Sequence, residues 1–227
     1  RDQVINALER DLRAKEIEYL EPDPEDFATY PGYTVFRLLL PGQYTQFVDK
    51  WRDGSSYLIP SERTLANVPQ PGSRPRILAL ANGEFITSRA ETDFGFIRDL
   101  GDVPLDKIAL TQVELQPLLR FRPPTDKASL ATEHQRIVES AQDPDFALKS
   151  HAPAMVAHSY VLRGVDYGGV DLVIAFRVVR EDTDHSLILI MTELRRLWGP
   201  LLTDDYSPRG RLANPCPVLP MPKRSGP

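Results

Sequence analysis

One cysteine, Cys216, is all that this chain of 227 residues contains, so no disulfide can form within it. Cys216 sits in a proline-rich stretch and reads as a spectator thiol, which leaves the redox compartment open. Long apolar runs are missing too. None approaches the roughly 18 uninterrupted apolar residues of a membrane-spanning helix, so membrane insertion is not expected. Nor is there an excess of positive charge: 27 Lys and Arg stand against 32 Asp and Glu, a formal net charge of −5. Residues 1–26 carry four basic and nine acidic side chains, which accounts for the whole imbalance. No basic face large enough for a phosphate backbone emerges, and nucleic acid is not an expected partner. The first residue is Arg1 and not Met, which reads as a processed start or the edge of a larger chain, so cellular address stays open.

Catalytic and cofactor motifs are equally sparse. There is no Gly-x-Ser-x-Gly, and His134, His151, His158 and His185 form no His-x-x-x-His or Cys-x-x-Cys pattern. Gly168-Gly169 is followed by no Lys-Ser/Thr and by no helix signal, so it is no phosphate loop. Asp184-His185-Ser186 are sequence neighbours, which in a strand point to alternate faces and do not align as a triad by adjacency. Asp182, Asp184 and Ser186 occupy positions 1, 3 and 5 of a loop whose position 12 is Glu193, the oxygen-ligand spacing of an EF-hand. Position 6 is Leu187, where the sharp turn requires glycine, and the residues beyond read as strand. A hairpin turn with Asp and Ser bonding the local backbone is the better reading. No catalytic residue, metal or cofactor is assigned, and the chain reads as non-enzymatic.

What the sequence does have is β pattern. Tyr160–Val165 is half polar, Val170–Val179 almost continuously apolar and β-branched, and Leu187–Met191 wholly apolar, with turn formers at 166–169 and 182–186 between them. Strands apolar on both faces must be covered on both. Further along, Ile77–Ala81 and Glu84–Ser88 flank Asn82-Gly83, the pair suited to the positive φ angles of a type I′ turn. Phe94–Leu100 and Lys107–Leu115 are expected to extend that sheet, and Phe146–Leu148 to join the later strands. Thr34–Leu40 and Ser55–Ile59 read as strands, and Gln43–Trp51 as a short helix. Ser129–Ala141 reads as a helix with Leu130, Ile137 and Val138 inward.

At the N-terminus, Ile5, Leu8, Leu12 and Tyr19 fall on a heptad-like spacing with Lys15 at the remaining seam position. This predicts an amphipathic helix over 1–20, docked on its own domain or forming part of a coiled coil, and Glu21-Pro22-Asp23-Pro24 stops it. The expected fold is therefore mainly β, a sandwich or curved antiparallel sheet, with a short coiled-coil-like N-terminal helix and one further helix. The β-rich domain spans 27–200 with a sub-boundary at 117–128, and 203–227 reads as a proline-rich extended tail.

Two functions follow as expectations. The first is an assembly or protein-interaction module, oligomerised or tethered through Ile5, Leu8, Leu12 and Tyr19, its partner another protein or itself. Arg163, Arg177 and Arg180 on adjacent strands are candidates to read an acidic partner, with ion pairing to Asp171, Glu181 and Glu193 as the alternative. The second is a carbohydrate- or peptide-binding domain using the aromatic cluster Tyr30–Tyr57, in particular Tyr33, Tyr44, Trp51 and Tyr57.

Overall fold

The computed structural model describes residues 21–40, the backbone of 59–60, and residues 78–87, 93–140, 143, 146–167 and 169–202, together with Ile5, Leu8, Asp11 and Lys15. The helix read over 43–51, most of the strand read over 55–59 and the proline-rich tail lie outside these, as do Leu12, Tyr19, Tyr44, Trp51, Tyr57 and Cys216. In chain order the strands are β1 Thr34–Leu38, β2 Ile59–Pro60, β3 Leu78–Ala81, β4 Glu84–Thr87, β5 Asp93–Asp99, β6 His151–Pro153, β7 Ser159–Asp166, β8 Val170–Glu181 and β9 Leu187–Trp198. The helices are α1 Pro24–Thr29, α2 Gln116–Arg120 and α3 Lys127–Ser140, with 3₁₀ turns at Leu105–Lys107 and Val113–Leu115.

A six-stranded antiparallel sheet in the order β2-β1-β9-β8-β7-β5 forms the centre. The three apolar runs of the sequence are its β7–β8–β9 meander. A smaller sheet, β3-β4-β6, covers one face. Strand alternation sends Tyr160, Leu162, Ile174, Phe176 and Leu189 to that side, where they pack with Leu78, Leu80 and Phe85. At its middle Phe85 stands edge-on to both Tyr160 and Phe176, with ring centroids 4.9 and 5.1 Å apart. The alternate residues Val161, Val165, Val173, Ala175, Ile188 and Ile190 face the other way and are met by Leu115, Leu118, Phe121, Leu130 and Ile137 of the helical segment. Both faces of the central sheet are thus covered from within the chain, so the strands' two-sided apolarity is no argument for an oligomer interface.

Local chemistry explains the punctuation. Asn82 and Gly83 have φ of 53° and 75°, the two left-handed residues that a type I′ turn demands. Asp126 caps α3, accepting the Ser129 N–H at 2.8 Å, and that bond holds its carboxyl below the ordinary range. Pro24 opens α1, since proline fits the first turn, where no N–H is needed.

Several expectations need correction. β5 does not extend the Asn82-Gly83 hairpin but pairs with β7 in the large sheet. Residues 107–115 are no strand; they form 3₁₀ turns that lay Ile108 and Leu115 onto the core between Pro104 and Pro117. The third strand of the small sheet is β6, and 146–148 are irregular. In α3 Leu130 and Ile137 are buried as expected, but Val138 is exposed, because it lies one residue round the helix from Ile137. Of the N-terminal segment, the described residues Ile5, Leu8, Asp11 and Lys15 are helical and exposed.

Candidate functional site

Arg163 of β7 and Asp171 of β8 lie on the helical side of the central sheet, where strand alternation would place apolar residues. Both are buried, and they form a bidentate pair: Nε donates to Oδ1 at 2.9 Å and Nη2 to Oδ2 at 2.6 Å. The remaining nitrogen, Nη1, donates to the carbonyls of Leu118 at 2.5 Å and Phe121 at 2.8 Å, at the end of α2. The Phe121 ring lies 5.8 Å from the guanidinium carbon. Arg163 therefore pins the end of α2 onto the sheet. With every nitrogen engaged, it is a positioning residue.

Beside this pair opens a depression of about 870 Å³, lined by Leu119–Pro123 and Thr125 on the helical side and by Arg163, Asp171, Arg195 and Leu197 on the sheet. Four arginines, Arg120, Arg122, Arg163 and Arg195, face it with one carboxylate. Arg163 neutralises Asp171, so three positive charges remain over. Arg120 and Arg122 are exposed and have no ion pair among the described residues. Arg195 approaches Asp171 only at 3.6 Å, beyond hydrogen-bond range, and its Nε is buried without a hydrogen-bond partner.

A β-bulge selects Arg195. Val173 faces Arg195 while the next residue, Ile174, faces Glu193, so Leu194 is the extra residue. Continued from Ile188 and Ile190, strict alternation would bring Arg196 to this face. The bulge reverses the parity and brings Arg195 and Leu197 instead, while Arg196 turns to Glu193 at 2.6 Å. Sequence reading missed Arg120, Arg122 and Arg195; the Arg195-Arg196 doublet was visible, but its facing was not.

The sequence-predicted residues are dispersed. Arg177 pairs with Asp102 at 2.5 Å and also donates to Ser159 Oγ at 3.2 Å. Arg180 pairs with Asp26, Asp23 and Asp182. The ion-pair alternative is right for Arg163 with Asp171, but Arg177 and Arg180 take other acids, Glu181 lies against His185, and Glu193 against Arg196. Of the aromatic cluster, Tyr30 and Tyr33 are half-buried against the helical-side core, whereas Phe36 is buried on the opposite face of the sheet. Those three form no common surface. Asp184 Oδ1 accepts from both the Ser186 hydroxyl at 2.6 Å and the Ser186 N–H at 3.0 Å, and His185 turns away to Glu181. Asp182 and Asp184 are further engaged by Arg37 at 3.3 Å each. Among the described residues no group of three or more His, Cys, Asp or Glu is placed to hold a metal ion, and no helix is long and apolar enough to cross a membrane.

Other titrating groups are structural. Burial pushes the Asp166 carboxyl up, aided by the charge of Asp93 directly opposite on β5 and a hydrogen bond between the two. Burial also pushes the phenols of Tyr160 and Tyr167 up to about 12. Tyr160 donates to the Pro153 carbonyl at 2.7 Å and accepts the Met155 N–H at 2.9 Å.

Comparison with protein-family models, with curated proteins and with solved structures found no match for this chain.

Proposed function

We propose that this chain is a non-enzymatic assembly and protein-interaction module, with an N-terminal helical stem that associates with a second copy and a two-sheet β domain that it carries. The observation behind this reading is the exposure of two seam residues. Ile5 and Leu8, three residues apart on helical backbone, remain 45% and 63% exposed. Apolar residues at that spacing form a stripe that a facing helix can cover. The β domain covers its own central sheet on both faces, so self-association is assigned to the stem.

A seam of two to three heptads is short for an independent coiled coil, so the association is expected to depend on concentration. The stem's own charge is nearly balanced, five acidic against four basic side chains in residues 1–20, so salt should change the oligomer little. The test is absolute mass by light scattering for the whole chain and for a version beginning at Glu21. An oligomer that becomes monomeric on losing the stem supports the reading; equal masses per chain in both forms overturn it.

A further inference from the structure

We infer that the depression between α2 and the end of β9 is an oxyanion-binding site, receiving a carboxylate or phosphate group on Arg195 with Arg120 and Arg122. Its charge is lopsided in a specific way. The single carboxylate in it, Asp171, gives both oxygens to Arg163 in hydrogen bonds and meets Arg195 only in a longer ion contact, so one negative charge serves two guanidiniums. Arg163 in turn spends Nη1 on the Leu118 and Phe121 carbonyls. Arg195 is left with a 3.6 Å ion contact and a buried Nε that makes no hydrogen bond.

A buried donor without an acceptor is destabilising, and most native donors avoid that state. Nε itself is closed to solvent, so an oxyanion entering the depression meets the exposed part of the Arg195 guanidinium, whose side chain is 25% exposed and whose planar fork fits the anion's lone pairs. Arg120 and Arg122, without ion pairs among the described residues, add charge at the rim, where it draws anions in. Leu119, Pro123 and Leu197 supply apolar wall, so the group bound is the anionic end of something larger than a free ion. The protein holds this geometry without help from a ligand, because Arg163 fixes the end of α2 and the bulge at Leu194 fixes Arg195.

The inference is independent of the stem. It is tested by titration calorimetry on the full chain at constant ionic strength, with inorganic phosphate in one arm and a tri-glutamate peptide in the other. Saturable binding in either arm, weakened at least about tenfold in Arg195→Met, is the expected result. The tighter arm identifies phosphate or carboxylate as the natural group. Arg120→Gln with Arg122→Gln alters only exposed side chains and should weaken binding even if Arg195→Met folds poorly. Arg136→Gln, whose arginine pairs with Glu133 on α3, is the control and should bind normally. No saturable heat in either arm, or equal loss in the Arg136 control, would overturn the site while leaving the assembly reading untouched.

Discussion

Arg163 and Asp171 meet through two hydrogen bonds, 2.9 and 2.6 Å long, on a sheet face that they share with Val161, Val165, Val173, Ala175, Ile188 and Ile190. Two charges taken out of water recover their desolvation cost only with good geometry and satisfied remaining donors, and this pair has both. Removing one partner strands the other. Asp171→Ala should therefore destabilise the fold by about 3–5 kcal/mol in urea denaturation. A double variant, Arg163→Met with Asp171→Leu, should recover part of that loss. Recovery stays incomplete because the Leu118 and Phe121 carbonyls lose their donor. A loss below about 1 kcal/mol for Asp171→Ala would mean that the pair is not buried in solution.

The packing of the two sheets is tested at Phe85. Its ring is fully buried between Tyr160 and Phe176, so Phe85→Ala should cost about 3–5 kcal/mol, transfer and cavity terms together. A cost near that of a surface substitution would show that the small sheet does not cover the large one.

The Asn82-Gly83 turn makes a smaller, sharper prediction. At φ 75° a Cβ is strained whatever space surrounds it, and at Gly83 no atom lies near enough to clash. Gly83→Ala should cost about 1–2 kcal/mol from backbone strain alone. An unchanged midpoint would rule out the type I′ conformation.

Asp166 and Asp93 give a pH dependence of defined sign. The Asp166 carboxyl titrates above its ordinary 3.8, so the folded state holds that proton more tightly than the unfolded state. Its contribution is stabilising below about pH 3.8 and is lost as pH rises through the elevated value. Asp93→Asn should therefore raise the melting temperature at pH 7 by about 1–3 °C and change little at pH 3. A lower melting temperature at pH 7 would contradict this. At the alkaline end Tyr160 and Tyr167, held to about 12, favour the fold below pH 10, and that contribution disappears between pH 10 and 12. Absorbance titration should show one fewer late-ionising tyrosine in Tyr160→Phe than in the native chain.

Much of the central sheet was legible because the β7–β9 runs are β-branched and separated by turn formers, and Asn82-Gly83 fixed one hairpin by backbone chemistry. The β5–β7 pairing was not, since it joins residues more than 60 positions apart that no local pattern connects. Residues 107–115 carry strand-like apolar spacing, but Pro104 and Pro117 bracket them and tertiary burial favours 3₁₀ turns. The site was the least legible part. Arg163 was singled out, yet its neighbours come from three other segments, and one extra residue at Leu194 decides which member of the Arg195-Arg196 doublet faces inward.

The stem is the central claim, and the most direct measurement keeps the chain length constant. Light scattering over a concentration series, at low and high salt, should compare the native chain with Ile5→Glu, Leu8→Glu. The native chain should gain mass with concentration and respond little to salt, while the double variant stays monomeric with an unchanged melting temperature. A native chain that is monomeric throughout, or a double variant that associates as well as the native chain, would contradict the account.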